Sequence, residues 1–500
     1  MCGIIGIIGT PDAAREAFLG LTTLQHRGQD GAGILTYDAD GFHRVKNLGL
    51  VESVFTRDNI STLTGNTALG HARYSTVGKG DIIDVQPFLL SYPFGMGMIH
   101  NGNIVNFADL KKKLRTQSKR HLLTHSDTEV VLNLFAEGLV QATDGGTDLT
   151  FEHICSAVQK IFSQVNGAYS IISMIADHGL VAFRDPDGLR PLIWGKKHVG
   201  ERAGDTDGAL DSGEAHMFAS ESVALGFMGY EAIRDVQPGE VVFITNEGKV
   251  YNKVLTKKEA RHCMFEWVYF ASPESIIDKV PVYGARINLG KSLARLLKKQ
   301  IEEKKIEADL VVPVPETSRI AAIALAEELD IPYREVLIKN RYIKRTFILD
   351  SQEKRQKAVS LKLSPVRSEI EGKRVILVDD SIVRGTTSKK IIELVRQAGA
   401  SKVYFVSTCP PIQHPCYYGI DFPSPQELIA SKRNVAEIEK YLDADAVIYQ
   451  DMKGLKEAIG GNPCMACLDG KYPTDVSAGT RFSEDRTTDR NQAQRRTAGI

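Results

Sequence analysis

The apolar pattern of this 500-residue chain changes character once, around residues 251–261, and that change constrains the fold more than any motif does. Upstream, short apolar runs at 4–8, 33–37, 68–73, 96–100 and 168–176 stand between Gly-rich turns and read as strands. Residues 106–114 and 126–141 read as helices, the second opening on Ser126-Asp127-Thr128-Glu129, the pattern of a capping box. Downstream, strands at 308–314, 374–378 and 402–408 alternate with helices at 285–304, 319–329 and 388–397. The first pattern predicts a strand-rich α+β domain. The second predicts an α/β domain with a doubly wound parallel sheet, whose ligands sit at the carboxyl ends of its strands. A chain this long does not fit around one core. The expected domains are 2–250 and 260–472. The polar stretch 473–500 reads as a disordered tail, and the Gly- and Asp-rich residues 199–215 read as a surface loop.

Lys plus Arg equals Asp plus Glu, 62 against 62, so no net field recruits nucleic acid. No stretch has the apolar length of a membrane span, and the first residues lack the basic and apolar regions of a secretory signal. The expected compartment is the cytoplasm, where the seven cysteines serve as nucleophiles, metal ligands or core filler rather than disulfides.

Cys2 stands directly after Met1, and Gly3 follows it. Removal of Met1 is expected to leave one residue carrying both a thiol and an α-amino base, whose pKa of about 7.7–8.0 lets it accept the thiol proton near neutrality. A thiolate attacking a carboxamide also needs an oxyanion hole and a grip on its substrate. His100-Asn101-Gly102-Asn103 reads as a turn that aims the Asn101 amide and the Gly102 N–H at an oxyanion. Arg73, at a strand end, suits a carboxylate, and Asp127, at a helix start, suits an ammonium. In this order, Cys2-Gly3-Ile4, Gln25-His26-Arg27-Gly28-Gln29-Asp30, His71-Ala72-Arg73-Tyr74-Ser75-Thr76, His100-Asn101-Gly102-Asn103 and Ser126-Asp127-Thr128-Glu129 resemble the class II glutamine amidotransferases. The resemblance implies an N-terminal nucleophile fold, a four-layer αββα sandwich. It implies Cys2 as nucleophile, Asn101 and Gly102 as oxyanion hole, and Arg73, Asp127, Thr76 and Arg27 as glutamine-binding residues.

In the second half, the strand before Asp379 and Asp380 delivers two adjacent carboxylates, and Ser381-Ile382-Val383-Arg384-Gly385-Thr386-Thr387 then runs into a helix. Loop and helix N–H groups suit a phosphate, while the carboxylates suit ribose hydroxyls or Mg²⁺. This segment resembles the phosphoribosylpyrophosphate (PRPP) loop of type I phosphoribosyltransferases. The resemblance makes Glu316, Thr317 and Ser318 the pyrophosphate loop and places Lys339 and Arg341 on a hood running to Lys362. It assigns PRPP binding to these residues together with Asp379, Asp380, Ser381, Arg384, Gly385, Thr386 and Thr387. Thr317, Asp379 and Asp380 would hold the Mg²⁺.

The two halves in this order resemble the glutamine PRPP amidotransferase family over nearly the whole chain to about residue 472. That implies a glycosyltransferase of purine biosynthesis. Ammonia freed from glutamine would pass through the protein to PRPP, giving 5-phosphoribosylamine, pyrophosphate and glutamate. It also implies feedback by purine nucleotides and a homotetramer. Cys464-Met465-Ala466-Cys467, with the distant Cys263 and Cys416, can supply a cubane cluster, a zinc or a redox pair. One subgroup of the family binds a [4Fe-4S] cluster through cysteines in matching contexts, which implies that role for these four. Cys155 and Cys409 read as filler. Ser272 departs from the arginine common among relatives.

Overall fold

The computed structural model describes residues 1–74, 81–199, 213–303, 305–340, 363–422 and 424–479. Among these, the first half forms two stacked sheets. One runs, neighbour to neighbour, Glu231–Asp235, Ile193–His198, Glu214–Ala219, Gly3–Ile8, Thr67–Arg73, Gly31–Asp38, Gly41–Leu48. The other runs Val250–Val254, Glu240–Thr245, Gly179–Arg184, Gly167–Ile175, Met96–Ile104, Phe88–Leu90. All pairings in both are antiparallel. The period-2 alternation of a strand explains why Gly3–Ile8 is apolar throughout. Ile5 and Ile7 pack under the helix Ala13–Thr23, while Ile4 and Ile8 enter the core between the sheets with Ile172, Leu180 and Phe218. A Cβ at Gly6 would stand 2.6 Å from Ile172 Cγ2, so glycine there lets the sheets approach. Helices Asp127–Ala142 and Phe151–Gln164 cover the outer face of the second sheet. The αββα order is the expected one.

The second domain carries a parallel sheet ordered Leu310–Pro313, Arg374–Asp379, Lys402–Ser407, Ala446–Tyr449. Alternate residues serve opposite faces. Leu377, Phe405 and Val447 meet Ile391 and Val395 of helix Thr386–Gln397 and Ile438 of helix Val435–Leu442. Ile376, Tyr404 and Ile448 meet Leu293 and Leu297 of helix Val282–Glu302 and Leu325 of helix Arg319–Leu329. The sheet is doubly wound, as the alternation predicts. The last strand and the helix before it were not read from sequence, although Asn434 and Glu437 form a reciprocal capping box there.

Four local expectations are corrected. Residues 100–103 are not a turn but the end of strand Met96–Ile104, because Asn101 and Gly102 pair with Ser170 and Tyr169. Only half of the capping box at Ser126 forms: Ser126 Oγ accepts from Thr128 N–H at 3.3 Å, whereas Glu129 turns back to the Leu123 and Thr124 amides at 2.8 and 2.7 Å. The first domain runs past residue 250. Val250–Val254 is a solvent-facing edge strand, which is why the apolar pattern lapses there. Residues 473–479 are docked rather than loose, with Thr474 Oγ1 2.9 Å from the Tyr418 hydroxyl and Val476 and Ala478 in a small apolar cluster. Of the proposed 199–215 loop, strand Glu214–Ala219 takes the end and residues 200–212 lie outside the described residues. The hood residues 341–362, Arg341 among them, Thr76 and the tail residues 480–500 also lie outside them.

Candidate active site

Cys2 opens the central strand Gly3–Ile8, half-buried. Its backbone N–H donates to Asn101 Oδ1 at 3.2 Å, and the Tyr74 N–H donates to its Sγ at 3.4 Å. Asn101 is fully buried, and its Nδ2 has no hydrogen-bond partner, which leaves an amide donor on the side chain that holds the Cys2 N–H. Gly102 has φ +152°, and a Cβ there would lie 1.9 Å from the Ala168 carbonyl oxygen, so no other residue fits without moving the strand. Met1 is buried, and desolvation holds its ammonium down to about 5. While Met1 is attached the Cys2 nitrogen is an amide, a donor only. The built-in base arises when that peptide bond is cut.

Arg73 ends the strand that pairs with the thiol's strand, and Asp127 starts the helix Asp127–Ala142 against strand Met96–Ile104. Arg73 is 5% exposed, with Nη2 4.0 Å from Asp84 Oδ2. Asp127 Oδ2 accepts from Ile104 N–H at 3.1 Å, and Oδ1 lies 3.6 Å from His100 Nδ1. Burial pushes the Asp127 carboxyl up, but His100 and the Ile104 and Thr128 amides outweigh it and hold it below the usual carboxylate range. It stays an anion, as an ammonium ligand must.

Arg27 is fully buried. Its Nε donates to the Cys2 carbonyl oxygen at 3.2 Å, Nη1 meets Glu221 at 2.5 Å, and Nη2 meets both oxygens of Glu266 at 2.9 and 3.0 Å. The guanidinium is a buried bracket for the nucleophile. Glu221 and Glu266 were missed by sequence reasoning. A carboxylate inside the apolar run Phe265-Glu266-Trp267-Val268 was the available signal, since buried charges occur where they are paired.

In the second domain, Thr317 Oγ1 donates to Asp380, and Ser381 Oγ donates to Asp380 Oδ1 at 2.8 Å. Thr408 supports both acids from behind, its N–H to the Asp379 carbonyl at 2.9 Å and its Oγ1 to the Asp380 carbonyl at 3.1 Å. Burial, then the charge of Asp380, holds Asp379 well above the usual carboxylate range. Burial raises Asp380 too, against the Thr317 and Ser381 hydroxyls and Arg286. Two adjacent like charges of this kind favour a cation. Gly385, at φ +74°, turns the loop into helix Thr386–Gln397, putting Thr386 and Thr387 in its first turn. Ser318 Oγ donates to the Val314 carbonyl, which shapes the loop holding Glu316 and Thr317. Lys339 Nζ lies 3.9 Å from Glu316, and Arg384 Nε 3.2 Å from Glu427; both pairs are exposed, weak and easily exchanged for phosphate.

All seven cysteines are free thiols. Cys263, Cys416, Cys464 and Cys467, from three distant segments, line one cavity together with Arg190, Tyr418 and Tyr472. Among the described residues, no three His, Cys, Asp or Glu side chains converge closely enough to hold a single metal ion. Cys155 and Cys409 are buried in apolar clusters. No described helix is long and apolar enough to cross a membrane.

Fold and site together define a glutamine amidotransferase domain joined to a type I phosphoribosyltransferase domain. Residues 71–204 match the glutamine amidotransferase domain family, and residues 285–419 match the phosphoribosyl transferase domain family. Amidophosphoribosyltransferase of Pseudomonas aeruginosa is 43% identical over 95% of this chain and 93% of its own, and that of Escherichia coli is 44% identical over 92% and 88%. The solved glutamine PRPP amidotransferase of B. subtilis, complexed with ADP and GMP, superposes with TM-score 0.81 at 39% identity, covering 95% of this chain and 98% of its own. A structure described as the allosteric regulatory enzyme of purine biosynthesis gives TM-score 0.83 at 38% identity, covering 97% and 99%. The chain belongs to the amidophosphoribosyltransferases.

Proposed function

We propose that Cys2, freed of Met1, attacks the carboxamide carbon of glutamine while its own amine takes the thiol proton. Asn101 Nδ2 and the Gly102 N–H hold the oxyanion, Arg73 the α-carboxylate and Asp127 the α-ammonium. The amine passes that proton to the amide nitrogen, the C–N bond breaks, ammonia leaves, and water hydrolyses the thioester to glutamate, returning the thiol its proton. Ammonia must reach the second site unprotonated, because NH₄⁺ has no lone pair. There it displaces pyrophosphate from C1 of PRPP. The Gly385-Thr386-Thr387 turn and helix start hold the 5-phosphate, and Glu316-Thr317-Ser318 face the pyrophosphate. Thr317, Asp379 and Asp380 would hold Mg²⁺, which when bound neutralises the leaving group. The observation that carries this reading is the unpartnered Asn101 Nδ2, on a side chain whose Oδ1 holds the Cys2 N–H at 3.2 Å. The test is pyrophosphate release from PRPP. The expected result is one pyrophosphate per glutamate formed, release with ammonium salts alone, and a glutaminase rate that rises when PRPP is added. Equal release without any nitrogen source would refute it.

Cys263, Cys416, Cys464 and Cys467 are proposed to hold a [4Fe-4S] cluster, which when bound supplies a cross-link between segments rather than a reacting centre. Four cysteines lining one cavity match the ligand count of a cubane cluster, and buried Arg190 offsets thiolate charge. Anaerobically purified protein should contain about four iron and four acid-labile sulfide per chain. Stoichiometric zinc without iron would overturn the assignment. The ADP and GMP bound to the B. subtilis enzyme, and the allosteric regulation ascribed to the second relative, support purine nucleotides as regulators.

A further inference from the structure

We propose that Glu221 is a positioning residue for the Cys2 nucleophile and the joint through which the second domain sets it. The inference rests on the reading of Cys2 as nucleophile. Glu221 follows the strand Glu214–Ala219, which pairs directly with the Cys2 strand through Ala219 and Ile5. Its neighbour Ser220 grips that strand twice, its N–H to the Ile4 carbonyl at 3.1 Å and its Oγ accepting from Ile4 N–H at 3.0 Å.

The carboxylate of Glu221 has no exposed surface, and its two oxygens face different ways. Oε1 accepts from Arg27 Nη1 at 2.5 Å and lies 2.8 Å from His26 Nε2; Arg27 in turn holds the Cys2 carbonyl. Oε2 accepts from Ser272 N–H at 2.8 Å and from Ser275 Oγ at 2.7 Å, on the segment that leads into the second domain. That segment is tied onward. The Val282 N–H, at the start of helix Val282–Glu302, donates to the Ser275 carbonyl at 3.0 Å. Arg286, one turn further along, donates to the Ala271 carbonyl at 2.8 Å and to the Trp267 carbonyl at 2.9 Å, which fastens the helix to the same segment. A carboxylate is planar and rigid, so a shift of the 272–275 segment moves Oε1 with Oε2 and carries Arg27 and the Cys2 carbonyl along. Burial alone would raise the Glu221 carboxyl, but Arg27 and His26 hold it down to about 2, so the joint stays charged at any working pH.

The test uses the full-length enzyme, measuring glutamine-dependent and ammonia-dependent turnover and the rate at which iodoacetamide alkylates Cys2 with and without PRPP. Glu221→Gln should lower glutamine-dependent kcat at least about tenfold with KM within about threefold, and leave ammonia-dependent turnover within about twofold. Ser275→Ala removes one of the two bonds on the far side of the joint and leaves the Arg27 side intact. It should keep glutaminase turnover without PRPP and lose at least half of PRPP's effect on alkylation. A parallel loss with both nitrogen sources would mark Glu221 as merely structural and overturn the proposal. So would wild-type glutamine turnover in Glu221→Gln, a full PRPP response in Ser275→Ala, or a wild-type enzyme indifferent to PRPP. If Glu221→Gln does not fold, Ser275→Ala decides. Glutamine turnover surviving in Cys2→Ser would instead sink the underlying reading, which keeps the two failures apart.

Discussion

Cys2→Ser will lower glutamine-dependent turnover by at least about a thousandfold, roughly 4 kcal/mol of barrier, while ammonia-dependent turnover stays within about twofold. The substitution changes one atom at the start of strand Gly3–Ile8. The Asn101 contact to the Cys2 backbone, the Arg27 bracket and the Tyr74 N–H all remain to hold a serine in place. What disappears is a nucleophile whose proton an α-amine near pKa 8 can accept, since an alcohol is far more reluctant to give one up. Ammonia supplied from solution bypasses this step, because Asp379 and Asp380 stand on a different sheet in a different domain. Steady-state pyrophosphate release with each nitrogen source checks it. A matching fall with ammonia would mean that Cys2 serves the fold rather than the chemistry.

The complementary variant is Asp379→Asn. It is expected to lower kcat/KM for PRPP by about a hundredfold or more with either nitrogen source, and to leave glutaminase activity measured without PRPP unchanged. Asparagine keeps the shape and an oxygen to accept from the Asp380 N–H, a contact now at 2.9 Å. It removes one of two adjacent carboxylates, Asp379 half-buried and Asp380 buried, the feature suited to a metal-bound pyrophosphate. Because those like charges repel in the empty site, Tm should hold or rise. A variant less stable and less active in proportion would show that the acid pair is structural. Stability kept in reserve against function is the usual signature of a binding site.

These two experiments address residues visible as motifs, and their visibility has a physical origin. Cys2, Asn101-Gly102 and Asp379-Asp380 lie at or near strand ends where short contiguous segments bring the chemistry to a point, so neighbours in sequence are neighbours in the site. Even there, local reasoning misjudged the backbone. Asn-Gly is a turn signal, yet pairing with Ser170 and Tyr169 keeps 100–103 extended. The Ser126 motif promised a closed capping box, yet Glu129 found better donors in Leu123 and Thr124. Partners outside each motif displaced those within it, because a buried unmet amide is costly.

Apolar periodicity thus specified two domains, one strand-rich and one doubly wound, and the motifs, through the resemblance they carry, implied the layer order and the candidate reacting groups, because strand alternation and phosphate or amide chemistry are written over a few consecutive residues. The bracket that Arg27 forms on the Cys2 carbonyl and the carboxylates of Glu221 and Glu266 that hold it came from folding alone, whereas the grouping of Cys263, Cys416, Cys464 and Cys467 around one cavity was already implied by the resemblance. Those arrangements join segments up to about 240 residues apart, as Arg27 and Glu266 are, and a buried charge or thiol takes its function from whatever the packed chain sets against it.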